Sequence, residues 1–197
     1  MKLADQLDQR VPEIARCWTE QVGALAAPAP MTVGFVTSMV RYFAGLAEKY
    51  PFVETVQTMD GQGAARIVRE PVGVVAAIVP WNAPYMIMLQ KIAPALLAGC
   101  TVVMKPAPET PLEAYIIAEA AEAAGFPPGV LNLVPADREA SDALVCNPGV
   151  DKVSFTGSTA VGKRIGAVCG GRIGRFGLEL GGKSAAICLD DYDVATA

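Results

Sequence analysis

The sequence predicts an α/β fold, in which a mostly parallel sheet carries helices on both faces, with N-terminal helices and a β-hairpin arm added to it. Short apolar runs alternate with helical segments from Pro71 onward, which is typical of parallel strands joined by crossover helices. The run V-G-V-V-A-A-I-V over Val72–Val79 is continuously apolar, as in a strand covered on both faces. Hydrophobic residues make up 52% of the 197 residues and charged residues 18%, which favours a packed core over disorder.

Residues 1–52 are predicted to form helices that pack on the sheet domain. Apolar residues recur there at helical spacing, and Pro12 divides or restarts the pattern. The residues of this first pattern are Leu3, Leu7, Ile14, Trp18 and Val22. After a loop rich in Ala and Pro (Ala26–Pro30), a second helix has its apolar face at Val33, Val36, Val40, Phe43 and Leu46.

Residues 53–70 are predicted to form a β-hairpin arm. The sequence reads V-E-T-V-Q-T-M, then D-G-Q-G, then A-A-R-I-V-R-E, which is typical of two strands joined by a Gly-containing turn. Neither strand is apolar enough for the centre of a sheet, and an isolated two-stranded ribbon is only marginally stable. We therefore expect the arm to pack on another surface, with a second subunit as one option.

Residues 71–197 are predicted to alternate between strands and helices. The predicted strands are Val72–Val79, Thr101–Met104, Val130–Val134, Lys152–Phe155, one before Glu179, and Ala185–Leu189. The predicted helices are Tyr85–Leu97, one from Pro111 to Gly125, one capped by Asp137 and ending at Cys146, and one after Ser158. Thr110-Pro111-Leu112-Glu113 has the spacing of a capping box with proline at the first helical position. The final D-D-Y-D-V-A-T-A resembles the start of a further helix.

Composition also restricts the class of protein. The net charge of −4 and the lack of a basic cluster argue against a nucleic-acid partner. The longest apolar runs are interrupted by Pro80, Gln90 and Lys91, which leaves them too short for a membrane span. Residues 1–10 are polar and lack the apolar segment of a signal peptide, so we expect a cytoplasmic protein.

The cysteine and histidine content narrows the chemistry. The five cysteines form no C-x-x-C pair, so they are interpreted as reduced and mostly buried. The chain has no histidine, which excludes Ser-His-Asp catalysis, Cys-His catalysis and His-ligated zinc within these residues. No metal site is predicted.

Candidate functional residues follow the predicted strands, where open parallel sheets bind their ligands. Gly157 and Ser158 lie between a buried strand and a helix, whose N-terminal N–H groups can hold a phosphate; an ordinary serine N-cap is the alternative. Lys105 ends a strand and can bind hydroxyls or phosphate, or be an ordinary surface lysine. The side-chain amide of Asn82 can donate to a developing oxyanion, although Asn is also a common turn residue.

Glu179 is the candidate general base. Leu178 and Leu180 flank it and Gly181 follows, so we expect the carboxyl group to be partly buried. Burial raises a carboxyl pKa toward the value that a base needs near neutrality. An exposed acid at a strand end is the alternative.

A second pattern in this stretch is rejected. Residues 177–184 fit G-x-x-x-x-G-K-S, the phosphate-loop pattern, which requires a strand before it and a helix after it. Gly174-Arg175-Phe176 is a poor strand sequence, and the residues after Ser184 read as a strand.

Taken together, the motifs resemble the aldehyde dehydrogenase superfamily. P-W-N, a Lys-Pro strand end, F-T-G-S-T-x-x-G and L-E-L-G-G-K-S occur in this order from about Arg69 to the C-terminus, with a looser resemblance before Arg69. The resemblance implies a Rossmann-like domain that binds NAD, with NADP left open, and that works on a small aldehyde. It also implies that the arm serves oligomerisation, giving a homo-oligomer.

The resemblance assigns a role to each matching residue. Asn82 would hold the oxyanion, and Glu179 would activate the water that releases the acyl-enzyme. Lys105 would bind the adenosine ribose, and Gly157 and Ser158 the pyrophosphate. The remaining residues implied to contact the cofactor are Ile78, Val79, Pro80 and Trp81 at the strand end, and Leu180 and Gly181 at the nicotinamide.

Two departures from the family pattern stand out. Many members that use NAD carry a glutamate three residues after the lysine; here that residue is Pro108, with Glu109 beside it. The family nucleophile is a cysteine on a second domain, which is expected to be absent from these 197 residues, as are the strands that precede the first helix. Cys100 and Cys188 are predicted to be buried and inert.

Two alternatives therefore stay open. The chain is either the cofactor portion of an NAD(P)-dependent enzyme that oxidises aldehydes to carboxylic acids, or an inactive fragment that binds nucleotide or a partner subunit. A relative of acyl-phosphate or acyl-CoA reductases is less favoured, because such enzymes usually do not need the base that Glu179 supplies.

Overall fold

Three helices open the chain in the computed structural model, which describes residues 1–193 and 195. They are α1 (Lys2–Asp8), α2 (Val11–Val22) and α3 (Ala29–Leu46). Pro12 lies in the first turn of α2, where its missing N–H costs nothing, and this confirms that the proline restarts the helical pattern. Gly23 ends α2 with a left-handed φ of 79°, which glycine adopts without strain.

A separate antiparallel hairpin follows, made of β1 (Val53–Gln57) and β2 (Ala64–Val68). The hairpin prediction is confirmed, with its turn closed by the bond from the Thr58 N–H to the Gly63 carbonyl at 3.0 Å. Every residue of the two strands except Glu54 is exposed. The hairpin therefore contributes no core of its own, as its low apolar content predicted.

The rest of the chain builds a five-stranded, fully parallel sheet with the order β5-β4-β3-β6-β7. The strands are β3 (Val74–Ile78), β4 (Thr101–Lys105), β5 (Leu131–Leu133), β6 (Lys152–Thr156) and β7 (Arg175–Glu179). The helices between them are α4 (Pro84–Leu97), α5 (Leu112–Ala123), α6 (Arg138–Cys146) and α7 (Thr159–Gly171). The α/β prediction is confirmed.

Two hydrophobic cores cover the two faces of the sheet, because side chains alternate along each strand. In β3, Val75 and Ala77 point into a core built with α1 to α5, whereas Ala76 and Ile78 point into a smaller core built with α6 and α7. This alternation explains why the Val72–Val79 run is apolar throughout. Within the described residues, no helix is long and apolar enough to cross a membrane.

The predicted strand at Ala185–Leu189 is wrong. Residues 180–189 run without regular structure, and Ile187 and Leu189 are 82% and 65% exposed. Apolar alternation makes a strand only where a neighbouring strand accepts the backbone hydrogen bonds, and no described strand lies beside this segment. The helix predicted to begin in residues 190–197 includes Val194, Thr196 and Ala197, which lie outside the described residues.

The phosphate-loop pattern does not have the structure that its function requires. The expectation of a poor strand before it is wrong, because β7 runs through Gly177 to Glu179. The glycine therefore lies inside a strand and not at the start of a loop, and residues 184–189 form no helix. The pattern is still rejected, now because of the position of the strand.

Candidate functional site

A cleft of about 950 Å³ opens at the carboxyl edge of the parallel sheet. Ile78 and Lys105, the last residues of β3 and β4, lie in register with Phe155, the penultimate residue of β6, along this edge. Six of the residues singled out from the sequence line the cleft, namely Ile78, Val79, Pro80, Lys105, Gly157 and Ser158. The opposite wall comes from α6 and α7.

The N-terminus of α7 faces this cleft and has the features of an anion site. Ser158 is the N-cap, and its Oγ accepts from the Val161 N–H at 3.4 Å. The Gly157 N–H donates to the Glu179 carbonyl at 3.0 Å. Among the described residues, the N–H groups of Ser158, Thr159 and Ala160 have no backbone or side-chain acceptor, and they carry the partial positive charge of the 13-residue helix.

Gly157 lets the start of α7 lie directly on the sheet. A Cβ at this position would lie 2.5 Å from Cζ of Phe155, a ring that is only 6% exposed. Any side chain here would therefore displace either the ring or the helix start. Packing against Phe155 therefore explains why a glycine occupies position 157, and the strand-turn-helix pattern alone could not show this.

Lys105 brings a positive charge to the floor of the cleft. The residue is 8% exposed, although its side chain ends at the carboxyl edge of β4. Burial lowers the pKa of Lys105, and the nearby carboxylates of Glu109 and Asp137 act in the opposite direction. Within the described chain its ammonium makes no hydrogen bond or ion pair, so it can serve a ligand.

The α6–α7 wall adds charged residues that the sequence analysis did not find. Arg164 of α7 pairs with Asp142 of α6 at 3.1 Å, which raises the pKa of the arginine and lowers that of the aspartate. Arg138 and Glu139 lie beside them in the cleft lining. These residues occur on predicted surface helices, and only the fold shows that this surface faces the β4–α5 loop.

Trp81 and Asn82 follow β3 but do not line this cleft. Trp81 is 56% exposed, and the Asn82 side chain is exposed as well. The Asn82 carbonyl accepts from the Trp18 Nε1 of α2 at 3.4 Å, which ties the turn to the N-terminal helices. The Asn82 backbone is therefore held against α2, and its side chain is exposed outside the cleft lining.

The prediction that Glu179 is partly buried is wrong. Glu179 is exposed at the end of β7, because β7 is the edge strand and only Leu178 of its residues packs on a core. Its backbone is nevertheless close to the anion site, through the bond from Gly157 to its carbonyl. Leu180 packs against α7, where a Cβ at Gly162 would lie 2.4 Å from Leu180 Cδ2. A Cβ at Gly181 would lie 3.6 Å from Oγ1 of Thr159.

Lys91 is a half-buried charged residue that was not among the candidate functional residues predicted from the sequence. Its Nζ donates to Ser154 Oγ at 3.2 Å, on the opposite face of the sheet from α7. Burial lowers the pKa of Lys91, and the charge of Glu179 opposes this shift, which places the two side chains within electrostatic range. The sequence did contain a sign that this lysine is unusual, because Lys91 is the only charged residue in the α4 sequence P-Y-M-I-M-L-Q-K-I-A-P-A-L-L.

The cysteines divide into buried and exposed groups. Cys17, Cys100 and Cys169 are buried, as predicted for most of them. Cys146 is exposed, with its Sγ 3.6 Å from an Arg164 nitrogen. The prediction that Cys188 is buried in a strand is wrong, because the segment pairs with no described strand and the thiol is exposed. None of the five lines the cleft.

The parallel sheet, its two helical layers and the cleft at its carboxyl edge define a Rossmann-like α/β domain. The sequence model of the aldehyde dehydrogenase family matches residues 1–197. The chain belongs to the aldehyde dehydrogenase family.

Relatives and solved structures agree with this assignment. The chain is 47% identical over 195 residues to geranial dehydrogenase from Castellaniella defragrans and 47% identical over 203 residues to phenylacetaldehyde dehydrogenase from Pseudomonas fluorescens. Each alignment covers 98% of this chain and 40% of the relative, so the chain spans about 40% of the length of these curated relatives.

Two solved structures share the fold closely. One is an NAD-dependent aldehyde dehydrogenase from Sinorhizobium meliloti, with a TM-score of 0.87 and 38% identity over 92% of this chain and 36% of that chain. The other is betaine aldehyde dehydrogenase from Staphylococcus aureus in complex with NAD+, with a TM-score of 0.86 and 36% identity over the same shares.

Proposed function

We propose that this chain forms the cofactor-binding portion of an NAD(P)-dependent aldehyde dehydrogenase that oxidises an aldehyde to a carboxylic acid. The observation that carries the proposal is the convergence of a helix N-terminus and a buried lysine on one cleft at the carboxyl edge of a parallel sheet. Open α/β sheets bind dinucleotides in this place. Family membership and the NAD+ complex of the S. aureus relative support it.

The residues of the cleft fit a dinucleotide. The free amides at residues 158–160, with the Ser158 hydroxyl, suit a pyrophosphate. Gly157 lets the start of α7 lie directly on the Phe155 ring, which brings the free amides to the edge of the cleft, and the Lys105 ammonium can donate to ribose hydroxyls. The bound nicotinamide would supply the hydride acceptor. Leu180 and Gly181 lie beside the start of α7, where they would border the nicotinamide end.

The choice between NAD and NADP depends on the loop after Lys105. Glu109 lines the cleft and acts on the pKa of Lys105, so its carboxylate can accept from ribose hydroxyls in place of the residue at Pro108. A carboxylate there disfavours a 2′-phosphate by charge repulsion. We therefore propose NAD as the preferred cofactor.

Asn82 and Glu179 are proposed to act in the chemical steps. The exposed Asn82 amide would donate to the oxyanion that forms as the aldehyde is attacked. Glu179 would accept the proton of the water that releases the acyl group. Because Glu179 is exposed in this chain, neighbouring protein or bound ligand would have to cover it before burial could tune its basicity. Lys91, within electrostatic range of Glu179, would help to hold the carboxylate.

Titration calorimetry with NAD tests the cofactor proposal. We expect Lys105→Ala to weaken binding about tenfold or more, since a hydrogen bond from a charged donor contributes about 1.5–3 kcal/mol. Lys163→Ala is the matched control, because Lys163 is an exposed lysine on α7 outside the cleft lining. Equal, negligible heats for all three proteins would contradict a working site.

The second candidate function is that of a nucleotide-binding or subunit-binding chain without catalysis of its own. It is favoured by the cysteines, none of which lines the cleft. A spectrophotometric assay for NADH formation with an aldehyde separates the two candidates. Turnover by these 197 residues alone would contradict the second candidate, and Cys188→Ser would then show whether the exposed Cys188 is the nucleophile.

We also propose a division into residues 1–52 as helices packed on the cofactor domain, 53–70 as the oligomerisation arm, and 71–197 as the Rossmann-like core. The exposed apolar residues of the hairpin, Val53, Val56, Ile67 and Val68, support the arm. Sedimentation of the chain with and without Val56→Lys and Ile67→Lys tests it. An unchanged molecular mass would remove the arm from the assembly.

A further inference from the structure

Helix α5 begins without a cap from its own sequence. The predicted capping box at Thr110–Glu113 is not formed: Pro111 takes the N-cap position and no side chain of the box accepts from the first turn. Instead, Gln21 of α2 reaches across, and its Oε1 accepts from the Leu112 N–H at 3.2 Å. A residue 91 positions away therefore supplies the cap.

The same glutamine holds a fully buried acid. Gln21 Nε2 donates to Glu113 Oε2 at 2.6 Å, and Glu113 has 0% exposure. Its other oxygen, Oε1, is buried with no partner among the described residues. Thr110 Oγ1, one helical turn earlier, is also buried and unpartnered in the described chain.

An ionised carboxylate in this position would be expensive, because it would have one neutral donor from a side chain and no cation. Burial, the largest cause, raises the pKa of Glu113, whereas its own N–H and Gln21 act against the shift. A neutral acid avoids the cost of a buried charge, and its Oε2 still accepts from Gln21 Nε2.

The start of α5 is coupled to the cofactor cleft through the loop that precedes it. Lys105, Pro106, Ala107 and Thr110 are buried, and the Thr110 N–H donates to the Ala107 carbonyl at 3.1 Å. Pro108 and Glu109, at the tip of this turn, are exposed and line the cleft. A displacement of Thr110 therefore moves the loop that carries the cleft wall beside Lys105.

We propose that Gln21 and a neutral Glu113 are positioning residues that brace the 106–111 loop in the shape that binds the dinucleotide. The proposal rests on the proposed function of the cleft. Deprotonation of Glu113 leaves a buried charge, which Gln21 alone does not satisfy. The first turn of α5 then loosens, and the cofactor site loosens with it.

Among the described residues, no other titratable group near the brace forms an ion pair with Glu113. From α2, the buried Cys17 thiol is close enough that Glu113 contributes to raising its pKa, after burial. Glu13, Arg16 and Glu20 also act on Cys17, and Arg10 is paired with Glu119 at 2.6 Å. On α1, Asp5 and Asp8 pair with Arg41. Lys91 of α4 bonds to Ser154, and β5 contains only Leu131, Asn132 and Leu133.

The experiment measures the NAD dissociation constant of the 197-residue chain against pH for the parent, Glu113→Gln and Glu122→Gln. Glu122 is an exposed glutamate on the same helix and serves as the matched control. We expect parent and control to lose affinity by about tenfold above the pKa of Glu113, the effect of one lost hydrogen bond to a charged or buried group. Glu113→Gln is expected to keep its affinity at every pH. A pH dependence identical in all three proteins would overturn the proposal.

A second measurement separates this inference from the cofactor proposal. Amide hydrogen exchange at Thr110 and Leu112 reports on the loop without any ligand. We expect Gln21→Leu to speed exchange at both amides at least tenfold, whereas Gln9→Leu, at an exposed glutamine after α1, leaves them unchanged. If the parent binds no NAD, faster exchange still supports the brace while the cofactor proposal fails. Unchanged exchange in Gln21→Leu overturns the brace whatever the cofactor result.

Discussion

Replacing Gly157 by alanine tests the packing that lets α7 approach the sheet. The new Cβ would lie 2.5, 3.1 and 3.2 Å from three atoms of the Phe155 ring, where ordinary contacts are 3.4–4 Å. Gly157 has no positive φ, so alanine meets no backbone strain and the ring contact is the only local cost. The ring is 6% exposed and cannot swing into solvent. We therefore expect a loss of about 1–3 kcal/mol in the free energy of unfolding, the cost of overpacking a core.

Urea denaturation of four proteins isolates this contact. In the Phe155→Leu background the ring is gone, so Gly157→Ala should cost at least about 0.5 kcal/mol less than in the parent, which is the coupling typical of residues in contact. Gly166→Ala, inside α7, is the control, since its Cβ would meet Phe176 at 4.0 Å. It should be neutral or stabilising by up to about 1 kcal/mol, from helix propensity. Additive costs of Gly157→Ala and Phe155→Leu would refute the reasoning.

Three further predictions concern buried and half-buried polar side chains of α3 and α4, on the face of the sheet opposite α7. The hydrogen bond between Thr37 Oγ1 and Tyr85 OH is buried and 2.7 Å long. Tyr85→Phe alone leaves the Thr37 hydroxyl without this partner, so it should lower the free energy of unfolding, measured by urea denaturation, by about 1–3 kcal/mol. The double variant with Thr37→Val should lose much less. Burial raises the pKa of Tyr85 from 10.0 to about 12, so the parent should lose stability as pH rises through this window and Tyr85→Phe should not; parallel pH curves would contradict this. Burial lowers the pKa of Lys91 in the folded protein, so the free energy of unfolding of the parent should rise as pH approaches the pKa that this lysine has in the unfolded chain. Lys91→Met should abolish this rise. A rise that persists in the variant would show that another group is responsible.

The sheet was predictable because its central strand, β3, is covered on both faces. Each strand of this kind reads as a short apolar run, and short helical segments between such runs leave parallel pairing as the simplest arrangement. The placement of Lys105, Gly157 and Ser158 at one edge follows from that topology without any further information. Their convergence on the cleft is therefore a consequence of strand order, which local sequence already implies.

The exposure of Glu179 was not predictable from its neighbours in sequence. Leu178 and Leu180 flank it, but strand alternation sends only one face of β7 toward a core. Whether the other face is covered depends on what lies beyond the edge strand. Apolar residues on either side of Glu179 in the sequence point to the other face of the strand, so they do not predict whether Glu179 is buried. Ile187 and Leu189 are apolar and still exposed, which shows that local apolar content alone does not predict burial.

The prediction of a capping box at the start of α5 was wrong for a different physical reason. Thr110 and Glu113 have the spacing of a capping box, and a local interaction is the natural expectation. Gln21 competes from another helix and satisfies the Leu112 N–H, so the local box does not form. A contact 91 residues apart has no local signature, although a glutamate at a helix face that proves fully buried is a reason to look for one.

The most direct test of the central claim is an NMR titration of the isotopically labelled chain with NAD. Amide shifts are predicted to move first at residues 157–160, at the start of α7, and at Lys105 and Glu109 on the facing loop. The amides of the hairpin at 53–68 and of Gly73 and Gly99, at the opposite edge of the sheet, should stay in place. Shifts confined to that opposite edge, or none at millimolar NAD, would contradict the assignment of the carboxyl-edge cleft as the cofactor site.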